Sequence, residues 1–216
     1  MPVDPPRRKD RSARSIALHL AILLPLIPAS SFGQPRTYLI EPAPDSRFAL
    51  EVFKTGLMSG KKHLLVFEQY QGRLEYDAAN VGQSRVELTI RSASMVVKDD
   101  WVNEKERQKI ADEALHKMLM VNKHPEIRFR SASIRPADGP ERYEVQGELT
   151  ILDLTRPVVV HVTLREQGDS VLLFEGEATV KMKDYGMKPP SAALGLIGTK
   201  DEMTVSFQLR GLAPDP

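Results

Sequence analysis

Period-two alternation of apolar and polar residues recurs along most of this chain, and no other feature constrains its fold as strongly. Successive side chains of a strand point to opposite faces, so strict alternation describes a sheet with one dry and one wet face. Phe48, Leu50 and Val52 alternate with Ala49 and Glu51, and Val86, Leu88 and Ile90 alternate with Arg85, Glu87, Thr89 and Arg91. Ile127 and Phe129 alternate with Arg128 and Arg130. Later the apolar series run Tyr143, Val145, Gly147, Leu149, Ile151, then Val158, Val160, Val162, Leu164. Two more come after them: Phe174, Gly176, Ala178, Val180, Met182, and Met203, Val205, Phe207, Leu209. Asp77-Ala78-Ala79-Asn80, Pro136-Ala137-Asp138-Gly139-Pro140 and Gln167-Gly168-Asp169 supply turn chemistry between them. With further segments around Tyr38 and over residues 64–76, this makes about eight or nine one-sided strands, an all-β chain built as a closed barrel or a sandwich.

One stretch breaks the period. Asn103 suits a helix N-cap, and Glu106 stands three residues on as its reciprocal capping-box acid. Ile110, Ala114, Leu115, Met118 and Leu119 then form a stripe at helical spacing, the charged run 104–113 supplies a solvated face, and Pro125 comes after the expected end. Such a helix is expected to lid or buttress the barrel. Trp101, just before it, is placed to pin that helix or flank an opening.

The first 33 residues read differently. Arg7, Arg8, Lys9, Arg11 and Arg14 precede the apolar run 16–27, and the small residues Ala29, Ser30, Ser31 and Gly33 come after it. This is the order of a secretory signal, with cleavage expected between Ser31 and Gln34. The expectation is therefore a leader over 1–33, a binding domain over 34–216, and a periplasmic or secreted product. Arg7-Arg8 raises twin-arginine export, which the residues after the pair fit poorly.

The formal charge of +1 leaves the part beyond residue 33 at about −2, without the basic surface of a nucleic-acid binder. The absence of cysteine excludes disulfides, thiolate metal sites and a cysteine nucleophile. No G-x-S-x-G elbow or phosphate-cradling glycine loop occurs. Gly195-Leu196-Ile197-Gly198 reads as an apolar loop near the opening. His63, His116, His124 and His161 have no metal-ligand spacing, and His161, between Val160 and Val162, is expected to face solvent. Asp99-Asp100 and Asp112-Glu113 read as solvated pairs rather than acid–base pairs. No enzyme, metal or cofactor is therefore expected. The inward apolar positions are Phe48, Leu50, Val52, Val86, Leu88, Ile90, Phe129, Leu149, Val180, Val205 and Phe207, serving as core or as ligand contacts.

Four stretches stand out: Tyr38-Leu39-Ile40-Glu41-Pro42 running on to Ser46-Arg47-Phe48; His124-Pro125-Glu126-Ile127-Arg128-Phe129-Arg130-Ser131; Gly147-Glu148-Leu149-Thr150 with Thr155-Arg156-Pro157-Val158; and Asp184-Tyr185-Gly186-Met187-Lys188-Pro189-Pro190-Ser191 followed by Lys200-Asp201-Glu202-Met203. In this order they resemble the YceI-like family, the periplasmic lipocalin-like proteins associated with polyisoprenoid binding. The likeness covers roughly residues 37–210 and departs at two places. Asp153 stands where the family usually has Gly, and Lys61 replaces the first imidazole of a Gly-His-x-His element, of which His63 keeps the second.

The resemblance implies an eight-stranded antiparallel lipocalin-like barrel with one flanking helix. Its apolar tunnel would hold an isoprenoid lipid or isoprenoid quinone. His63 is the candidate for a polar headgroup contact and Lys188 a weaker one. A transient membrane or redox partner and a homodimer are further expectations. The competing reading is a non-catalytic structural or interaction module whose barrel is filled by side chains such as Phe48, Phe129 and Phe207.

Overall fold

The alternating segments become eleven strands in a computed structural model that describes Met1, residues 35–168 and residues 170–214. The expected leader and its cleavage region lie outside the described residues, apart from Met1. The strands are β1 (Arg36–Ile40), β2 (Arg47–Gly56), β3 (Lys62–Phe67), β4 (Tyr70–Tyr76), β5 (Arg85–Arg91), β6 (Met95–Val97), β7 (Glu126–Pro136), β8 (Arg142–Ile151), β9 (Leu154–Gln167), β10 (Val171–Lys181) and β11 (Ile197–Leu212). All pairings are antiparallel. They run β1-β4-β5-β7-β8-β9-β10-β11-β2-β3-β6, and β1 meets β11 at Leu39↔Leu212 and Ile40↔Gly211 to close the circuit.

Eleven segments make eight staves because three staves are broken. Between β1 and β2, Pro42 and Pro44 remove two backbone donors, and a turn closed by Ser46 N on Ala43 O kinks the chain. Glu68-Gln69 interrupts β3 and β4, and a turn of 3-10 helix over Ser92–Ser94 interrupts β5 and β6. The two halves of each broken stave pair with the halves of its neighbour: β2 with β3, β1 with β4, β3 with β6, β4 with β5. Full closure leaves the meander without a long free edge.

The two-residue connection between β8 and β9 holds Leu152 and Asp153 at φ of 51° and 62°. A turn of this hand matches the twist of the flanking strands but favours glycine. Asp153, the family departure, adopts the conformation nonetheless, and its Oδ2 stands 3.0 Å from His124 Nδ1, close enough for an ion pair although the two are not aligned as a hydrogen bond.

The expected helix is present and changes character halfway. α1 (Glu104–Asp112) opens on a capping box in which Glu106 N donates to Asn103 Oδ1 at 2.9 Å and Asn103 N donates to Glu106 Oε2 at 3.1 Å. Residues Glu113–Met118 continue as a wider π-helical turn. Ile110 before it, Ala114, Leu115 and Met118 within it and Leu119 after it all pack against the barrel core.

Candidate functional site

Inward-pointing side chains meet across the barrel without filling it. A cavity of about 410 Å³ runs inside, walled by residues from nearly every strand. All eleven apolar positions expected from the alternation lie on its wall: Phe48, Leu50, Val52, Val86, Leu88, Ile90, Phe129, Leu149, Val180, Val205 and Phe207. His63, the expected polar contact, joins them there. Several wall residues, including Leu50, Leu149, Val205 and Phe207, stay only half-buried although they point inward, because they face open space rather than packed atoms. Side chains thus leave the barrel unfilled, within the 300–1,000 Å³ range of small-ligand sites, which counts against the module with a plugged interior.

Aromatic rings pack along one wall. Phe48 and Phe207 stack with centroids 5.9 Å apart, Phe67 meets Phe48 edge-on at 6.2 Å, and Phe174 meets Phe207 edge-on at 6.4 Å. Phe207 lies flat because its cross-strand partner is Gly176. A Cβ on Gly176 would stand 2.5 Å from Phe207 Cζ and 2.7 Å from the His161 carbonyl oxygen. Gly147 makes the same room for Phe129.

Polar groups are confined to the ends. At one end Lys54, His63, Lys109, Glu113, Pro190 and Thr199 join the wall, and the exposed Lys109 carries that end to solvent. His63 is held there by Asp99, whose Oδ2 accepts from His63 Nδ1 at 2.6 Å and whose Oδ1 accepts from Leu64 N at 2.7 Å. Arg107 donates to the Asp99 carbonyl at 3.0 Å. The Trp101 ring stacks on His63 at 5.3 Å and donates Nε1–H to Lys62 O at 2.9 Å, while Lys61 Nζ stands 5.6 Å over the indole. Trp101 therefore ties the approach to α1 onto β3. Burial pushes the Lys54 ammonium below its ordinary pKa, and Asp99 partly offsets this.

The expectation that Asp99 is solvated fails: its side chain is fully buried. Asp99 comes just after β6, which pairs with β3 at Leu65↔Val97, so the broken stave turns the carboxylate in toward His63. Alternation cannot report this, because two staves must close before the residues meet.

At the other end Tyr76 and Tyr143 line the cavity, and Tyr143 Oη donates to Glu141 Oε2 at 3.0 Å. Burial holds both phenols above their ordinary pKa, and the neighbouring Tyr76 and Glu141 push Tyr143 up further. No sequence signal singled out this pair. Lys188 is exposed and off the wall, although Pro190 nearby is on it. His161 is exposed as expected, and His116 pairs with Asp112 on the helix at 3.2 Å. Ile197 and Gly198, expected in a loop, instead begin β11 opposite Gly56 and Thr55.

The model of the YceI-like domain matches residues 42–210. The chain belongs to the YceI-like family. Among curated relatives, a UPF0312 protein of Pseudomonas putida (strain F1) is 28% identical over 131 residues, 58% of this chain and 64% of its own length. One from Pectobacterium carotovorum subsp. carotovorum (strain PC1) is 32% identical over 126 residues, 56% of this chain and 61% of its own. The chain thus spans a little under two thirds of the length of these relatives.

Among solved structures, Burkholderia cenocepacia BcnA superposes with a TM-score of 0.60 at 21% identity, over 76% of this chain and 95% of BcnA. A polyisoprenoid binding domain from Saccharophagus degradans, implicated in plant cell wall breakdown, superposes at 0.56 and 13% identity, over 82% and 98%. At these identities the likeness is one of fold. It places this YceI-like chain among closed barrels of the same build.

Proposed function

We propose that this barrel is a non-catalytic carrier that sequesters a long apolar lipid of isoprenoid type, a polyisoprenoid or an isoprenoid quinone, in the periplasm or outside the cell. The observation that carries the reading is a cavity of hydrocarbon wall with polar groups only at its ends. Removing apolar surface from water is worth about 25 cal/mol per Å², so an extended alkenyl tail gains along the whole tube. A rigid head would rest among Lys54, His63 and Thr199. With Nδ1 donating to the Asp99 carboxylate, His63 has Nε2 left for that head: an acceptor in the neutral ring, a donor in the imidazolium. The polyisoprenoid ligand of the Saccharophagus degradans neighbour supports the choice of lipid class. The leader expected over residues 1–33 supports the compartment.

Native mass spectrometry of gently purified protein, with organic extraction and a binding series using ubiquinone and undecaprenol, tests the proposal. The expected result is a co-purifying lipid and saturable binding. Val205→Trp, which places an indole in the cavity, is expected to lower retention at least about tenfold, since excluding one residue-sized apolar group costs roughly that much. A lipid-free protein that binds neither probe refutes the carrier reading.

A further inference from the structure

Two loops at the cavity's solvent end carry leucines that stand largely exposed among the described residues. Leu57, on the tip joining β2 and β3, is 77% exposed; Leu194 and Leu196, on the loop before β11, are 106% and 59% exposed. The tips form one surface, because Leu57 N donates to Leu196 O at 3.0 Å and Gly56 pairs with Ile197. At Gly56, φ is +67° and a Cβ would stand 2.1 Å from Leu196 O, so this junction demands glycine.

The second tip is also held in a costly shape. Ala193, Leu194 and Gly195 have φ of 51°, 55° and 90°, three consecutive left-handed residues of which two carry side chains. Left-handed backbone is unfavourable for such residues and persists where surroundings or function require it. Here it thrusts a leucine outward.

The two loops that carry these leucines bear charge of one sign along their own length, with Glu51, Asp184, Asp201 and Glu202 flanking them in sequence and Glu113 at the same end of the cavity. Residues 52–67 and 186–200 contain Lys54, Lys61, Lys62, Lys188 and Lys200 and no carboxylate. Lys62 is paired with Glu51 and Lys54 is half-buried, but Lys61, Lys188 and Lys200 are exposed. Apolar side chains that protrude from a basic surface match a bilayer with anionic headgroups, where lysines hold the headgroups and leucines enter the interface.

We propose that Leu57, Leu194 and Leu196, with Lys61, Lys188 and Lys200, dock the barrel's solvent end on an anionic lipid bilayer. Pro190 and Thr199, from the same stretch as the second tip, line the cavity, so a docked barrel presents its opening to the membrane. The surface stands on its own residues and holds whichever apolar molecule the cavity takes.

Flotation with vesicles of equal parts phosphatidylglycerol and phosphatidylcholine tests this, using protein that begins at Gln34, since an apolar leader would itself bind lipid. The barrel circuit is complete within residues 36–212, and residues 32–216 form a compact unit of their own. The parent is expected to float and to be released by salt. L57S/L194S/L196S is expected to lose more than about tenfold in partitioning, because even one leucine leaving an apolar phase is worth about that. K61Q/K188Q/K200Q is expected to lose about fivefold per lysine on the mixed vesicles and little on pure phosphatidylcholine.

A parent that does not float, or triple variants that float as the parent does, overturns the proposal. So does a concentration-dependent dimer that disperses in the leucine variant without any flotation, since the patch would then serve a second copy. Ubiquinone binding by the same variants separates the readings: docking lost with binding kept supports the surface and leaves the carrier reading untouched.

Discussion

Replacing Asp99 by alanine tests how the polar end of the cavity is held together. Its carboxylate is fully buried and accepts from two donors, His63 Nδ1 at 2.6 Å and Leu64 N at 2.7 Å. Alanine strands a backbone N–H, at about 1–3 kcal/mol, and deletes a charge-assisted bond worth about 1.5–3 kcal/mol. Together these give about 2.5–6 kcal/mol, which brackets the usual cost of about 3–5 kcal/mol for breaking a buried pair. Asparagine keeps an acceptor for Leu64 N and forfeits the charge, so about 1–2 kcal/mol is expected. His63→Ala leaves a buried carboxylate with the Leu64 donor alone and should cost about as much as Asp99→Ala, while the double variant should fall well short of the sum. Equilibrium urea unfolding followed by circular dichroism measures all four. Domains of this kind have about 5–15 kcal/mol in total, so Asp99→Asn stays measurable even if Asp99→Ala is barely folded. Asp99→Asn as destabilising as Asp99→Ala, or single losses that simply add, would show that the pair is not the buried unit described.

Two further outcomes concern the wall and the far elements. Gly176→Ala is expected to cost about 1–3 kcal/mol by overpacking, because its Cβ would collide with Phe207 Cζ and the His161 carbonyl; adding Phe207→Leu should restore part of the urea midpoint, and an unperturbed Gly176→Ala refutes the close approach. Burial, with Asp184 adding and Arg156 opposing, pushes the Tyr185 phenol up to about 12. The folded chain therefore holds a proton that the unfolded chain loses from about pH 10 upward, so stability falls as pH rises between about 10 and 12. Tyr185→Phe should flatten that loss in alkaline unfolding curves, and a slope identical to the parent's contradicts the assignment.

The strands and their inward faces were legible in the sequence because alternation is a local property: each residue's face is set by its neighbours two positions away. That is why all eleven expected apolar wall positions lie on the cavity, and why the capping box of α1 could be read from Asn103 and Glu106 alone. The staves' breaks were less visible. Pro42 and Pro44 announce one, but nothing in Glu68-Gln69 or Ser92–Ser94 says that the chain continues as the same stave. The change from α to π winding at Glu113 was equally hidden, since the apolar spacing there is that of an ordinary helix.

Only the tertiary structure decided which residues meet once the barrel closes. His63 and Asp99 are 36 positions apart, and Tyr76 and Tyr143 are further still. The same holds for Leu57 against Leu196, joined through a backbone bond between two loops. Periodicity carries no information across such distances, because the energy that brings these groups together comes from strand pairing and burial elsewhere. The size of the cavity was undetermined for the same reason: eight staves with apolar interiors fit a packed core as well as an open tube. Here Gly147 and Gly176 let Phe129 and Phe207 lie against the wall, and space remains inside.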